Sequence, residues 1–282
     1  MLGDWVTNVD AYANKFQNCK GIRFCTIDNF LAADVLARVN DEFPLWSNDA
    51  VWHCRYSNPL EEKLACSDME RLDRHAPTLA KVLRYLNSAE FLPYLRLIAG
   101  DDDLHEDPTF HGAGAHCIPP GGHLDMHVDY SVHPILHKQR KLNLLLYLTP
   151  NWSVEWHTGD LWLTETCTEE VTGPVENTIN VRNNMCAVFE PTDCSWHGHP
   201  RALVTDGTTA RQALASYYIG EIPVNKEKMR ENRPKACFVS CEQVTDCDGK
   251  KELYKIRKNR CITSNDLATH CPNWKSSCIA FQ

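Results

Sequence analysis

The sequence predicts an α+β fold in which N-terminal helices brace a jelly-roll core, also called a double-stranded β-helix. Helix-type hydrophobic patterns are confined to the residues before Gly100, and short β-type runs alternate with Gly, Pro and Asn breaks from about residue 109. A chain of 282 residues is long enough to bury the core of one large domain. Strands that follow helices in this way favour helices packed on one face of a double-sheet β core.

Two amphipathic segments are the predicted supporting helices. Residues 27–44 have the pattern of a strand end followed by a helix, with Asp28 or Asn29 as the helix cap. Residues 76–99 carry a leucine stripe at helical spacing, and Gly100 supplies a stop signal. Leucine stripes of this kind are typical of core contacts, so we assign no chemistry to either segment.

Seven or so short strands are predicted between residues 109 and 222. The breaks between them contain Gly, Pro and Asn, which is typical of a closed or double-sheet β architecture. The segments that carry these strands are "FHGAGAHCIPPGGHLDMHVDY", "KLNLLLYLT", "GDLWLTE", "VENTINV", "MCAVFE", "CSWHGHPRAL" and "ARQALASYYIGEI".

The chain is predicted to form one domain over residues 1–228, followed by an extension. Helical support occupies about residues 28–100 and the jelly-roll core about residues 105–222. Residues 229–282 are charged and rich in cysteine, so we interpret them as a separate C-terminal extension.

Composition narrows the classes of partner and location. The formal net charge is −8, whereas nucleic-acid-binding surfaces are usually basic, so we expect no nucleic-acid partner. The N-terminus "MLGDWVTNVDAYANKF" has no apolar signal-peptide core, and no stretch approaches the roughly 20 apolar residues of a membrane span. We therefore expect a soluble protein of the cytoplasm or another intracellular compartment, without a membrane partner.

The chain has 14 cysteines, and their distribution is uneven. Those from Cys19 to Cys194 lack paired spacing, and we interpret them as buried thiols. The remainder crowd the extension, where with His270 they form either a zinc site or ordinary thiols, although no Cys-x2-Cys knuckle is present. These are Cys237, Cys241, Cys247, Cys261, Cys271 and Cys278.

The segment "GGHLDMHVDY" contains two His-x-Asp pairs, His123 with Asp125 and His127 with Asp129. Residues two apart on a strand share a face, so all four side chains are predicted to point the same way. One such pair offers an imidazole nitrogen and a carboxylate oxygen to a single metal ion, whereas the alternative is a polar strand facing solvent. With a second histidine, the set becomes the 2-His-1-carboxylate triad of non-haem iron(II) oxygenases.

Candidates for the remaining ligand lie downstream. His197 and His199 follow an apolar strand, and Arg211 begins another strand. An oxygenase that uses 2-oxoglutarate needs a fixed cation for the distal carboxylate of that cosubstrate, and arginine binds a carboxylate in bidentate fashion.

Five segments occur in order along the predicted core: "GGHLDMHVDY", "KLNLLLYLTPNW", "TGDLWL", "SWHGHP" and "RQALASYY". In this order they resemble the motifs of the iron(II)/2-oxoglutarate-dependent dioxygenases, specifically the prolyl-4-hydroxylase-like branch. The resemblance covers roughly residues 27–222. It implies the jelly-roll fold, iron(II) as the metal, 2-oxoglutarate and O2 as cosubstrates, and ascorbate as a candidate reductant.

The resemblance implies the metal ligands. Register from the Tyr-Leu strand matches His127 and Asp129 to the family's metal pair, and leaves the upstream pair outside it. The first histidine of "HGHP", His197, matches the distal ligand. His199 is then a residue that lines the site or packs beside it.

The cosubstrate contacts also come from the resemblance. Arg211 matches the family's carboxylate-binding cation, and Tyr147 matches a tyrosine that hydrogen-bonds the same carboxylate. Asn143 lies on the same predicted strand face as Tyr147, so we expect it to face the pocket too. One departure is Thr158-Gly159, where many relatives have Gly-Gly; it affects a turn and no ligand.

The implied reaction hydroxylates an unactivated C–H bond and releases succinate and CO2. The resemblance favours a prolyl residue of a peptide or protein as substrate, with a free amino acid or other small molecule as the alternative. A catalytically inactive jelly-roll binding module is the alternative from another class, and the filled ligand positions argue against it.

Two further features of residues 130–141 are open to interpretation. His133 and His137 are predicted to be solvated loop histidines, although such loops often contact substrate. The basic cluster "HKQRK" is either an attraction site for an anionic substrate or a solvated hairpin.

Overall fold

The core is one continuous antiparallel sheet that curls into a half-barrel, as predicted for a jelly roll. The computed structural model of the chain describes residues 1–156, 158–165, 176–223, 236–238, 250–259 and 262–273. The strands are β1 (Phe24–Ile27), β2 (Cys54–Asn58), β3 (Glu61–Cys66), β4 (His105–Glu106), β5 (Gly114–Ile118), β6 (His123–Val128), β7 (Gln139–Tyr147), β8 (Leu161–Glu165), β9 (Asn177–Ile179), β10 (Met185–Phe189), β11 (Ser195–His199), β12 (Arg211–Gly220) and β13 (Cys237–Phe238).

The strand order divides the sheet into two halves that face each other. One half runs β1-β10-β7-β12-β5-β3, and β3 then pairs with β6 to start the other half, β6-β11-β8-β9. Phe189 of the first half lies edge-on to His197 of the second, with 4.8 Å between ring centroids. Strands β2, β4 and β13 add to β3, β12 and β6, respectively. The space between the halves is where the predicted site residues meet.

The helices are α1 (Val9–Gln17), α2 (Ala33–Glu42), α3 (Met69–His75), α4 (Pro77–Leu86), α5 (Leu92–Ala99), α6 (Lys250–Asn259) and α7 (Ser264–His270). The strand end and helix predicted over 27–44 are confirmed as β1 and α2. The predicted cap is wrong, because α2 begins after Ala32, which makes no side-chain cap bond, while Asp28 pairs with Arg182.

The helical region predicted over 76–99 is present as two helices. A proline in the first turn of α5 explains the break, since proline is tolerated there and not in a helix interior. Gly100 ends α5 in the left-handed conformation at φ 67°, as its stop signal predicts. Side chains of these helices share a buried cluster with the outer face of the sheet, so the helices support the strands that carry the site.

Strand β7 shows how the sheet separates core from cavity. Leu142, Leu144 and Leu146 pack with the supporting helices, whereas Asn143 and Tyr147 line the cavity between the two halves. This alternation is the period of a β-strand, and it confirms that these two polar residues share a face.

Two β-bulges interrupt the alternation beside the cavity. In β6, His127 pairs with His197 and Leu124 with His199, so three steps on β6 oppose two on β11. In β7, the pairing to β12 shifts between Leu142 and Arg140, which leaves one extra residue on β7. A bulge turns the following side chains to the other face of the strand.

The bulge in β6 overturns the prediction that both His-x-Asp pairs face the same way. Leu124, His127 and Asp129 line the cavity, whereas His123 and Asp125 are absent from its lining. The extra residue changes the spacing between the two pairs, so only the downstream pair faces the opposite half of the sheet.

The C-terminal extension packs on the core where it is described. Strand β13 pairs with Val128 and His127 of β6, past the two β6 residues that pair with β3. Helix α6 lies against β13 and α7, and Leu60, Phe238, Leu253, Tyr254 and Cys271 form a small apolar core beneath them. The predicted domain boundary after residue 228 lies outside the described residues.

The cysteines are not all thiols. Cys194 and Cys271 are each disulfide-bonded, so the thiol interpretation is wrong for Cys194, and Cys271 cannot supply the thiolate that the predicted zinc site needs. Spacing along a chain does not show which distant cysteines meet, so the pattern missed this. Cys241, Cys247, Cys261 and Cys278 lie outside the described residues. Among the cysteines whose side chains are described, the free thiols are Cys19, Cys25, Cys54, Cys66, Cys117 and Cys186.

Among the described residues, no helix is both long enough and apolar enough to cross a bilayer.

Candidate active site

Three of the predicted ligands meet at one point between the two halves of the sheet. Side-chain atoms of His127, Asp129 and His197 lie within 4.8 Å of one another, and all three residues are buried. His127 and His197 are opposite each other on β6 and β11, and their rings are 4.3 Å apart. This is the only group of three such residues in the described part of the chain that could hold a metal ion.

Both imidazoles are oriented through Nδ1. His127 Nδ1 lies 2.8 Å from the carbonyl oxygen of Asp125, and His197 Nδ1 lies 3.1 Å from that of Ser195. A ring that donates Nδ1–H to a carbonyl has its lone pair on Nε2, the usual arrangement of a metal-ligating histidine. Burial, followed by the neighbouring His197, lowers the pKa of His127 to about 3. The donor set therefore fits a divalent metal: two imidazoles with Nε2 directed at the cluster and one carboxylate.

Two residues of β7 bond the Asp129 carboxylate and hold it in place. Arg140 places an Nη atom 2.9 Å from Asp129 Oδ2, and Asn143 donates its amide to the same oxygen at 2.7 Å. Arg140 Nε also donates to Asn143 Oδ1 at 2.7 Å, which closes a triangle of buried polar groups. Although burial raises the pKa of Asp129, the Arg140 charge holds it well below its usual value. The carboxylate is thus kept ionised in the orientation that faces the two histidines.

Asn143, a predicted cosubstrate contact, lines the cavity as expected and bonds Asp129 and Arg140. Arg140 was missed as a site residue, because "HKQRK" was interpreted as a solvated hairpin or an outer anion-attracting cluster. It is 2% exposed and packs over the ring of Tyr217 at 3.4 Å. The bulge at Lys141 turns the Arg140 side chain to the face of β7 that lines the cavity. Because the bulge depends on pairing with β12, the local sequence does not predict it.

His133 is also buried, contrary to its prediction as a solvated loop histidine. It is fully buried, with Nε2 3.2 Å from Asp107 Oδ2, and its Nδ1 accepts the backbone N–H of Ile135 and Leu136. These bonds fix the loop between β6 and β7 beside the cavity.

Arg211 and Tyr147 lie together deeper in the cavity, as predicted. Arg211 donates to the Tyr147 hydroxyl at 3.3 Å and from Nε to the Gly159 carbonyl at 2.7 Å. Its charge also lies 4.7 Å from the Tyr147 ring centroid. Arg211 is 7% exposed and none of its described contacts is an acid. A buried cation with no acidic partner is a suitable receptor for a carboxylate.

One cavity of about 610 Å³ connects these groups. Its wall includes His199, which was predicted to line the site or pack beside it. His199 is 3% exposed, and neither of its ring nitrogens makes a hydrogen bond with a described residue. Buried polar atoms without partners are rare in proteins, so His199 is available to a bound ligand or water.

The upstream pair serves the protein's own packing. His123 Nε2 lies 3.0 Å from the Pro59 carbonyl. Asp125 Oδ2 accepts the Tyr254 hydroxyl and the Lys250 ammonium, both at 3.0 Å. These contacts attach α6 to β6. Neither side chain of this pair belongs to the ligand cluster, and only the backbone carbonyl of Asp125 contacts it, through His127 Nδ1.

Comparison with known proteins is consistent with this geometry. Residues 113–219 match the family model described as the 2OG-Fe(II) oxygenase superfamily. No curated protein matches the chain. A prolyl hydroxylase from Trichoplax adhaerens, solved with a fragment of the oxygen degradation domain of hypoxia inducible factor, superposes with a TM-score of 0.50 at 17% identity, over 77% of this chain and 94% of that one.

Prolyl 4-hydroxylase from Phytophthora capsici gives the same TM-score, 0.50, at 19% identity, over 89% of this chain and 75% of that one. At such identities the likeness establishes the fold alone. The matched residues 113–219 contain β5 to β11 and most of β12, and with them every predicted ligand.

Proposed function

The chain is a 2-oxoglutarate-dependent dioxygenase with a 2OG-Fe(II) oxygenase domain at residues 113–219, and we propose that it hydroxylates a prolyl residue of a peptide or protein. The observation that carries the catalytic part is the juxtaposition, in one cavity, of three side chains able to bind a metal and a buried arginine that forms no ion pair with a described residue. Each of these groups is needed by the same reaction, and each is present.

His127, Asp129 and His197 are the proposed iron ligands. Two neutral imidazoles and one carboxylate leave coordination positions open for the cosubstrates. Bound there, iron(II) supplies the chemistry that converts 2-oxoglutarate and O2 into succinate, CO2 and an oxidant for a C–H bond. The chain's own task is to hold the ligand atoms in place, and the Nδ1 bonds of both histidines do this.

Arg211 and Tyr147 are the proposed receptors for the distal carboxylate of 2-oxoglutarate. Arg211 is kept from rotating by its bond to the Gly159 carbonyl, so its remaining N–H groups stay directed at the cavity. Burial lowers the pKa of Arg211, but its neighbour Tyr147 opposes this change. In this enclosed region a charge-assisted hydrogen bond is stronger than at the surface.

Asn143 and Arg140 are proposed to position Asp129. Both bond Oδ2 of Asp129, so that oxygen is engaged by the protein. Positioning of a metal-ligating carboxylate by such neighbours is a general feature of metal sites.

Support for a prolyl substrate comes from the fold and from the cavity wall. The Trichoplax adhaerens enzyme with this fold is a prolyl hydroxylase solved with a peptide. In the present chain, the rings of Tyr130 and Tyr217 both lie beside the Arg140 guanidinium at the cavity wall, with ring centroids 4.6 Å and 3.4 Å from its central carbon. Flat aromatic surfaces of this kind suit the apolar face of a pyrrolidine ring.

The test is an anaerobic titration of the metal-free protein with iron(II) and then 2-oxoglutarate. We expect a visible metal-to-ligand charge-transfer band that requires both, and that fades in oxygen while succinate forms. Proline-containing peptides should then increase the rate of succinate release. Absence of the band in folded protein would contradict the oxygenase function, and a band without any effect of prolyl peptides would contradict only the substrate.

A further inference from the structure

The described part of the C-terminal extension forms one wall of the cavity. Phe238 of β13 stacks on the His127 imidazole, with centroids 5.1 Å apart and 26° between the planes. Arg257 of α6 in turn lies over the Phe238 ring, with its guanidinium carbon 5.4 Å from the ring centroid. Both residues line the same cavity as the proposed iron ligands. Two successive contacts thus lead from an iron ligand to a cation supplied by the extension.

This wall is held in place by buried ion pairs. Lys250 and Tyr254 bond Asp125, and Arg257 Nε lies 3.3 Å from Glu61 Oε1. Asp125 and Glu61 are 2% and 1% exposed. A buried carboxylate that loses its cation is strongly destabilising, so these pairs specify where α6 docks.

The outer part of the cavity carries an excess of positive charge. Arg257 and Lys63 share a single carboxylate, since Lys63 Nζ lies 3.2 Å from Glu61 Oε2. Arg257 uses only Nε in that pair, and its Nη atoms make no hydrogen bond with the described residues. Lys63 and Arg257 are 17% and 14% exposed, so water screens them only in part.

The net charge of the described side chains that line the whole cavity is also positive. Its lining contains four cationic side chains and two carboxylates: Lys63, Arg140, Arg211 and Arg257 against Glu61 and Asp129. The charges of iron(II) and of the 2-oxoglutarate dianion cancel each other, so loading the enzyme leaves this excess unchanged. Arg140 is neutralised by Asp129, and Arg211 would be neutralised by one carboxylate of the cosubstrate. Because Lys63 and Arg257 share Glu61, one net positive charge of the excess lies at these two residues.

We propose that Arg257 and Lys63 form a subsite for a carboxylate of the substrate, so that the extension selects acidic substrates. This rests on the proposed hydroxylase function and narrows its substrate class. The carboxylate is either the terminal one of a free amino acid or an acidic side chain beside the target residue of a peptide. Either would accept hydrogen bonds from the Nη atoms of Arg257, which make none with the described residues. The adjoining apolar part of the substrate would lie against Phe238 and the rings of Tyr130 and Tyr217.

The experiment measures binding by calorimetry, under anaerobic conditions, to the full chain loaded with iron(II) and saturating 2-oxoglutarate. One pair of probes is N-acetyl-L-proline and its neutral amide; the other is acetyl-Pro-Asp-amide and acetyl-Pro-Asn-amide. We expect the acidic member of one pair to bind about 10-fold to 100-fold more tightly than its neutral partner, as for a charge-assisted hydrogen bond. The pair that shows the preference identifies the source of the carboxylate.

Three variants assign the preference to the subsite. Arg257→Met should reduce the acidic probe to the affinity of the neutral one, and Glu61→Gln, which frees both cations, should strengthen it further. Lys255→Met is the matched control, because Lys255 is on the same helix but is exposed and pairs with Glu252. If Arg257→Met alone fails to fold, the double variant with Glu61→Gln removes the unpaired carboxylate and should also lose the preference.

Equal affinities within both pairs, no binding of any probe, or a preference that survives Arg257→Met would overturn the subsite. The charge-transfer band in the same samples keeps this failure apart from failure of the proposed function. A band without a preference rejects the subsite alone. A preference that depends on Arg257 in a sample without the band supports the subsite and rejects the oxygenase.

Discussion

The two His-x-Asp pairs of β6 have the same composition and opposite surroundings. His127 bonds the backbone through Nδ1 and leaves Nε2 toward Asp129 and His197, whereas His123 uses Nε2 itself on the Pro59 carbonyl. Each aspartate has a buried cation, Arg140 for Asp129 and Lys250 for Asp125. A cation partner therefore does not distinguish a metal site from a packing site. What distinguishes it is an imidazole Nε2 that makes no hydrogen bond with a described residue and belongs to a ring beside a second imidazole.

The largest expected effect separates the two carboxylates. Asp129→Asn should abolish succinate formation that depends on iron, because it removes the only anionic ligand of the cluster. Asp125→Asn should keep most of the turnover, since its amide still accepts a hydrogen bond from Tyr254. Succinate release and stabilisation by iron(II) in thermal unfolding measure both effects. A dead Asp125→Asn with an active Asp129→Asn would mean that the pairs have been assigned the wrong way round.

The next effect concerns the inner end of the cavity. Arg211→Leu should raise the 2-oxoglutarate concentration needed for half-maximal turnover by about 10-fold to 100-fold, because it removes one charge-assisted contact. Iron(II) affinity measured without cosubstrate should change little, since Arg211 does not contact the described ligand cluster. An unaltered requirement for 2-oxoglutarate would assign its carboxylate to another cation.

The third prediction concerns the two cations that pair with these aspartates, Arg140 with Asp129 and Lys250 with Asp125. Arg140→Met should weaken iron(II) binding by about 10-fold to 100-fold, because it releases the orientation of Asp129. Lys250→Met should leave iron(II) affinity unchanged and lower the free energy of unfolding by about 3 kcal/mol, the cost of removing the cation from a buried ion pair. Metal titration and urea unfolding of both variants provide the measurements. Equal losses of iron affinity in the two variants would show that the pairs are coupled.

The smallest expected effect is at His123, the histidine of the upstream pair. His123→Ala removes the bond to the Pro59 carbonyl and should cost about 1 kcal/mol of stability. Turnover per folded molecule should match the wild type, whereas His127→Ala should have none. Steady-state assays at a temperature where both variants are folded make this comparison, and a marked loss of turnover in His123→Ala would contradict it.

Sequence analysis predicted correctly the positions of residues that follow from the alternation of side chains along a strand or from the ordered motifs of the family resemblance. Tyr147 and Asn143 were assigned to one strand face, and they share it. The pairing of His127 and Asp129 with His197 came from the resemblance, since spacing alone left both His-x-Asp pairs open. The strands over 109–222 follow from turn residues at regular spacing.

What could not be predicted depends on contacts between distant segments. The bulges that turn His127 and Arg140 into the cavity exist only when β6 pairs with β11 and β7 with β12. Burial of Arg140 requires an acid and two aromatic rings from elsewhere in the chain, so a basic run of five residues gives no sign of it. The pairing of Phe238 with His127 joins residues far apart in sequence, and its short strand carries no periodic signal.

Strand β13 also has a consequence for how the protein is made. The β6 edge beside His127 is completed by β13, which follows all the other described strands along the chain. During synthesis this part of the edge therefore stays unpaired until β13 has been made. Open sheet edges recruit strands from other molecules, and pairing across a long loop is slow to form. By pairing with β6, strand β13 thus protects from aggregation the edge of the strand that carries His127, a proposed iron ligand.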